Sequence, residues 1–237
     1  MALYGIADLH LSLGTDKPMD VFRGWTDYVA RLETAWRACV KPEDTVVIAG
    51  DISWAMSLED TKADFTFLHS LPGRKLILKG NHDYWWTTRR KMDRYLAENG
   101  FTDLAFVHND TVVVDDTYAV CGTRGWFFDA EKDADQKVLL REIGRLRTSV
   151  EAAQATGKQP IVFLHYPPVY AGSVCTEMMA ELRRLGVTHC FYGHLHGPSI
   201  PHAVNGTVDG ITLKLISGDA LSFTPFPISA WLSGEMT

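Results

Sequence analysis

Cysteine is sparse and scattered. Cys39, Cys121, Cys175 and Cys190 form no Cys-x-x-Cys pair, which argues against a zinc knuckle or a dense disulfide framework and leaves reduced, mostly buried thiols. Basic residues form no run and the formal net charge is −6, so the electrostatic footprint of a nucleic-acid binder is missing. A small anionic substrate would then be attracted locally, by metal ions. No apolar stretch reaches membrane-spanning length, and the opening MALYGIADLH is a strand pattern that runs into polar residues without a basic leader. That pattern predicts a cytoplasmic protein with no membrane partner. Repeats, low-complexity tracts and linker-like segments are also missing, which for 237 residues predicts one domain over residues 1–237.

What is present has the ordinary balance of a globular protein, 46% hydrophobic and 22% charged. Short apolar runs at residues 2–7, 45–49, 75–78, 161–164 and 190–192 each end abruptly in a polar, Gly-rich or His-rich turn and read as buried strands. Helical spacing links Trp25, Tyr28, Val29, Leu32, Trp36 and Cys39, and a Ser57-x-x-Asp60 cap precedes Phe65 and Leu68. Two further helices are predicted at 92–98, closed by Gly100, and at 134–155, closed by Gly157. Residues 112–121 have strand character on both sides of Asp115-Asp116, and Asn205-Gly206 within 204–208 is a hairpin signal. The mixture of β/α units with antiparallel pairs predicts an α/β fold in which two mixed β-sheets pack as a sandwich flanked by helices.

The chemistry lies in the turns. Asp8-x-His10 and Gly50-Asp51 are weak patterns alone. Gly80-Asn81-His82-Asp83 specifies four consecutive residues and arises by chance in roughly one chain in a thousand, and Gly193-His194-Leu195-His196 in about one in a hundred. With His165, these five elements follow the ends of the five apolar runs. Carboxyl ends of strands are where ligand-binding groups converge in α/β sheets. Imidazoles and carboxylates together suit first-row divalent metals, and a carboxylate is the group best able to bridge two cations. Thiolates are missing from the set, which favours an open catalytic site over a structural zinc. Glycines at positions 50, 80, 193 and 197 supply the freedom that lets neighbouring side chains share one cluster.

In these motifs, and in their order along the chain, the sequence resembles the calcineurin-like metallophosphoesterases from residue 8 to residue 196. The resemblance implies two divalent transition-metal ions, Mn, Fe or Zn. Asp8, His10, Asp51 and His196 would hold one, and Asp51, Asn81, His165 and His194 the other. It implies hydrolysis of a phosphomonoester or phosphodiester, with a small molecule or nucleotide as substrate. The Ser/Thr protein phosphatase branch carries Gly-Asp-x-Val-Asp-Arg-Gly and Gly-Asn-His-Glu, whereas this chain reads Gly50-Asp-Ile-Ser-Trp-Ala-Met56 and Gly-Asn-His-Asp83. The branch's phosphate-binding arginine and the aspartate partner of its catalytic histidine have no counterparts here, which argues against a protein phosphatase.

Two cations can generate hydroxide from a shared water near neutral pH and stabilise charge on phosphoryl oxygens, so no protein nucleophile is required. His82, beside Asn81 but not expected to bind metal, is the candidate to protonate or hydrogen-bond the leaving oxygen, and Asp83 the candidate to orient it. A turn histidine packed under the loop is the competing reading of His82. Arg124, in Gly122-Thr-Arg-Gly-Trp126, is the candidate phosphate contact, with a solvated surface arginine as its alternative. Trp54, Trp85, Trp86 and Trp126 either form an aromatic wall for a ring or, more simply, pack the loops. The competing function is a catalytically silent scaffold of the same fold that binds a protein partner. A nuclease would need a basic strand-tracking groove.

Overall fold

In the computed structural model, which describes residues 1–126 and 133–235, the predicted runs become strands. They are β1 (Leu3–Ile6), β2 (Thr45–Ala49), β3 (Arg74–Leu78), β4 (Leu104–Phe106), β5 (Thr111–Val113), β6 (Tyr118–Thr123), β7 (Gln159–Leu164), β8 (Val169–Tyr170), β9 (Ser173–Val174), β10 (His189–Tyr192), β11 (Gly206–Val208), β12 (Ile211–Leu215) and β13 (Phe226–Pro227). The helices are α1 (Tyr28–Cys39), α2 (Lys62–Ser70), α3 (Arg89–Asn99), α4 (Asp133–Ala155), α5 (Thr176–Arg184) and α6 (Ile228–Leu232).

One sheet has the order β13-β1-β2-β3-β4 and the other β11-β12-β10-β7-β6-β5. The strands of each pair in parallel except at three edges, where β13, β11 and β5 run antiparallel to β1, β12 and β6. Strands buried on both faces need unbroken apolar runs, as β2 (TVVIA) shows. Alternate residues then serve two cores. Val46, Ile48 and Ile77 face outward against Leu32 and Trp36 of α1, Phe65 of α2 and Met92 of α3. Val47, Ala49 and Leu76 face inward against Val120, Ile161, Phe163 and Phe191 of the second sheet. That sheet's other face packs Val162, Leu164 and Cys190 on Leu146 and Val150 of α4 and Met178 and Leu182 of α5. The layers run helix, sheet, sheet, helix, as the sequence predicts.

The sheets also join at one rim. The Ala7 N–H donates to Ile216 O and Gly218 N–H to Ala7 O, so the exit of β1 runs alongside the exit of β12 from the opposite sheet. The carboxyl ends of both sheets therefore converge on one place.

Three local expectations need correction. Helix α1 starts at Tyr28, and Trp25 lies in the turn before it, buried against Tyr28 and Phe223. Asn205-Gly206 is not the hairpin turn. Asp209-Gly210, both with positive φ, makes the reversal between β11 and β12, and Asn205 instead accepts the Leu215 N–H through its side chain. Asp-Gly carries the same mirror-turn chemistry as Asn-Gly, and the alternation in β12 fixes which pair turns. Finally, Gly80 and Gly193 keep negative or extended φ and serve to make room, as described below. The Ser57-x-x-Asp60 cap is present, with Asp60 N–H on Ser57 Oγ and Ser57 N–H on the Asp60 carboxylate, each at 3.3 Å. The four cysteines are free.

Phe163 and Phe191 stack at 5.3 Å in the inter-sheet core, both fully buried. Phe163→Ala should cost about 3–5 kcal/mol in urea denaturation. A loss under about 1 kcal/mol would show that the sheets close over the cavity rather than hold their spacing.

Candidate metal centre

The exits of β1, β2, β3, β7 and β10 bring the predicted residues together. Asp8, His10, Asp51 and His165 are buried, and Asn81, His194 and His196 are half-buried. The strands cannot deliver these side chains in extended form, because alternate residues would point apart. The backbone turns left-handed instead, with φ of 60° at Asp8, 45° at His10, 52° at Asp51 and 74° at His194. Such conformations cost non-glycine residues about 1–3 kcal/mol each and collect at functional sites. Space is as tight as the backbone. A Cβ on Gly80 would overlap the Asp51 carboxylate, and one on Gly193 would come within 2.5 Å of Asp8 Oδ2.

The donor atoms face inward on one another. His10 Nε2 lies 3.2 Å from His196 Nε2, which is 3.3 Å from Asp8 Oδ1. On the other side, Asn81 Oδ1 is 2.6 Å from His165 Nε2 and 3.0 Å from His194 Nδ1. Asp51 Oδ2 stands between the two groups, 3.8 Å from His10 Nε2 and 3.4 Å from His165 Nε2. Asp8, His10 and His196, and likewise Asp8, Asp51 and His165, are close enough to hold a metal ion.

The remaining ring nitrogens are tied outward. His165 Nδ1 lies 3.1 Å from the Ala49 carbonyl, and His196 Nδ1 3.1 Å from the Asp219 carboxylate. A proton on each Nδ1 leaves each Nε2 lone pair pointing into the cluster, the outer support characteristic of metal-ligating histidines. Asp8 Oδ1 is buried with no hydrogen-bond partner, an oxygen that a cation would satisfy. By both observations the residues fit divalent metal.

Electrostatic crowding follows from burial. Burial raises the Asp51 carboxyl to about 8, with the charge of Asp8 adding to the rise. It lowers His10 and His194 to about 3. Burial would also lower His196, but Asp8 and Asp219 outweigh it and lift that imidazole to about 10. Burial thus disfavours the charge of Asp51, His10 and His194 while Asp8 and Asp219 favour that of His196, an imbalance that a bound cation would change.

Asp83 needs correction. Its carboxylate accepts N–H groups of Asp51 at 2.9 Å, Ile52 at 2.9 Å and Gly80 at 2.7 Å, and the Trp85 indole at 3.1 Å. Among the described residues none of its bonds reaches His82. It turns inward because adjacent side chains in the turn diverge and because three buried backbone donors would otherwise be unpaired. Asp83 fastens the β2 exit to the β3 exit. His82 sits on the outer side, half-buried, with its N–H on Asp51 Oδ1 at 2.8 Å, its ring 4.5 Å from Trp54, and Tyr84 Oη 3.4 Å from its Nδ1. Burial lowers its pKa, and His165 adds to the effect.

A cavity of about 770 Å³ opens on the cluster, lined by His10, His82 and His196 with Met19, Phe22, Trp25 and Trp54. Trp54 stacks on His10 at 5.0 Å and so belongs to the site's wall. Trp85 and Trp86 pack the loops against Phe65 and Phe106, and Trp126 packs on Tyr166. Arg124 does not line this cavity. Its carbonyl accepts the N–H groups of His165 and Tyr166, while its side chain lies over Trp126 and 3.7 Å from Glu142 in a neighbouring cavity. The residue that sequence reasoning missed is Asp219. Its signal was legible, since Gly218-Asp219 follows the apolar run of β12 as Gly50-Asp51 follows β2.

A family model of the calcineurin-like phosphoesterases matches residues 1–198, and the chain belongs to that family. The family hydrolyses phosphoesters and typically binds divalent metals. Among solved structures, a protein of unknown function from Aquifex aeolicus is similar at 15% identity over 99% of each chain, with a TM-score of 0.52. The Thermus thermophilus protein TT1561 is similar at 14% identity over 82% of this chain and 81% of that one, with a TM-score of 0.51. At such identities the likeness shows the fold alone. No curated protein sequence matches.

Two variants test the outer supports. Asp83→Ala should destabilise the protein by about 3 kcal/mol or more through its unpaired buried donors and lower metal content with it. If stability and metal held while only turnover fell, Asp83 would act on His82 after all. Asp219→Ala should weaken metal binding about 10–100-fold, read by competition with a metal indicator. Unchanged affinity would make Asp219 a bystander.

Proposed function

We propose that this chain hydrolyses a phosphomonoester or phosphodiester of a small molecule or nucleotide. Asp8, His10, Asp51 and His196 would hold one divalent transition-metal ion, and Asp51, Asn81, His165 and His194 a second. The observation that carries this reading is the convergence of these seven donor side chains, from five strand exits, on a cluster beside an open cavity. Bound there, such ions (Mn, Fe or Zn) supply activated water near neutral pH and electrostatic stabilisation of phosphoryl oxygens.

The chain's own residues do the rest. Asp51, whose Oδ2 lies between the two histidine groups, is suited to bridge. Its Oδ1 takes the His82 N–H, which ties the position of His82 to the cluster. From the cavity wall the His82 imidazole donates a hydrogen bond or proton to the leaving oxygen. Trp54, Trp25, Met19 and Phe22 give that wall an apolar, aromatic character, which supports a substrate with a ring or other apolar part next to its phosphoester. The free thiols support a reducing, cytoplasmic setting.

Asp51→Asn should nearly abolish activity and weaken both metals together. Elemental analysis finding at most one ion in active, metal-saturated protein would overturn the two-metal reading. His82→Ala should keep fold and metals but lower the maximal rate on an alkyl phosphate by about a hundredfold or more, and on an aryl phosphate by less, because a weakly basic leaving oxygen needs little protonation. Equal losses on both substrates would mean that His82 does not assist the leaving group.

A further inference from the structure

A second cavity, of about 370 Å³, lies on the same rim, between the exits of β3, β4 and β6 and the flank of α4. Its volume is in the range of small-ligand sites. The metal cluster does not use it. Its charged wall consists of Lys79, Arg124, Arg145 and Glu142. Glu142 is buried and already engaged: Thr123 Oγ1 donates to it at 2.6 Å and Arg145 Nη1 at 2.5 Å, and Arg124 Nη2 lies 3.7 Å away. Among the described residues, three cations against one carboxylate leave two positive charges in excess.

The wall also holds polar atoms without partners. Among the described residues, Trp86 Nε1, His108 Nδ1 and Arg124 Nε are buried without a hydrogen-bond partner, and all three side chains line this cavity. Buried polar atoms without partners are rare in proteins, and three of them belong to side chains of this one wall. Helix α3 adds to the positive potential. Its N-cap, Thr88, lines the cavity and makes no side-chain cap bond, so the positive end of an eleven-residue helix lies at the same wall.

We propose that this cavity is a second anion site, which takes a dianionic oxyanion of the phosphate class beside the metal cluster. The charge excess favours that class. A phosphate group carries about −1.5 to −2 near neutral pH, whereas a carboxylate would leave a positive charge unmatched, and guanidinium forks suit the several oxygens of a phosphoryl group. Two sources share this chemistry: free inorganic phosphate, and a second phosphoryl group on a molecule whose reacting end lies at the metals. The second source rests on the hydrolase reading.

Calorimetric titration of the metal-loaded protein with inorganic phosphate tests the site, with Arg145→Met and Arg124→Met as variants checked for melting temperature and metal content. Each variant is expected to lose one phosphate per chain relative to wild type, or to bind it about tenfold or more weakly, with metal content unchanged. This holds whether or not the metals themselves take up phosphate, so a failure of the hydrolase reading would leave the result intact. If Arg145→Met does not fold, Arg145→Gln takes its place, because Arg124→Met alone does not separate the two cavities. Unchanged phosphate binding in the variants overturns the site, as does loss in Arg124→Met alone, which would put Arg124 at the metal-side phosphate. Given the expected loss, a KM raised about tenfold in Arg145→Met for a bisphosphorylated substrate, but not for the matching monophosphate, assigns the site to the substrate. Unaltered KM values assign it to free phosphate.

Discussion

Everything at the rim depends on keeping the exits of β1, β2 and β10 in backbone conformations that they would not hold alone. Asp8, His10, Asp51 and His194 are all left-handed, and at about 1–3 kcal/mol each their combined strain rivals the net stability of a small protein. Asp83 opposes that strain directly at Asp51. One carboxylate, taking the N–H groups of Asp51, Ile52 and Gly80, satisfies backbone donors of the β2 and β3 exits and fixes their separation. The two sheets supply the rest, since their fully buried strand ends cannot move without disturbing a close-packed core. The cluster is thus preorganised by groups that do not enter it.

The candidate ligands were legible in the sequence because each stands where an apolar run stops, and because the runs are long enough to be buried strands. The ends of β2, β3, β7 and β10 fall where hydrophobicity ends, at Ala49, Leu78, Leu164 and Tyr192. Side-chain direction was not legible. Asp83 and His82 are neighbours in sequence, yet one turns into the protein and the other toward the cavity, a choice made by backbone donors on a loop thirty residues away. The wall of tryptophans was legible only as a set. That Trp54 walls the metal-side cavity, Trp85 belongs to the core and Trp86 walls the second cavity depends on which loop packs beneath which, and that is tertiary information. The hairpin turn failed for a local reason: Asn205-Gly206 and Asp209-Gly210 offer the same chemistry, and strand alternation decides between them.

The two cavities divide the rim by chemistry. One is walled by Trp25, Trp54, Met19 and Phe22 and opens on the imidazoles, whereas the other is cationic and lies behind Arg124. They share a partition. The Arg124 carbonyl holds the backbone N–H of His165, and Lys79 leads into the turn that carries Asn81. A ligand ordering the cationic side would therefore act on the same turns that place His165 and Asn81 in the cluster.

The chain past the family match is part of the site rather than an appendage. The match ends at residue 198, but Asp219 reaches back to His196 Nδ1 and to the Gly197 N–H. Gly218 bonds to Ala7 just before Asp8, and Phe223 packs on Trp25 and Tyr28. Asp219 is therefore held at the rim by both sheets at once, through β12 on one side and the exit of β1 on the other. A carboxylate fixed in this way orients His196 with little freedom left to lose, and outer support of that kind keeps a metal-ligating ring in one tautomer and one direction.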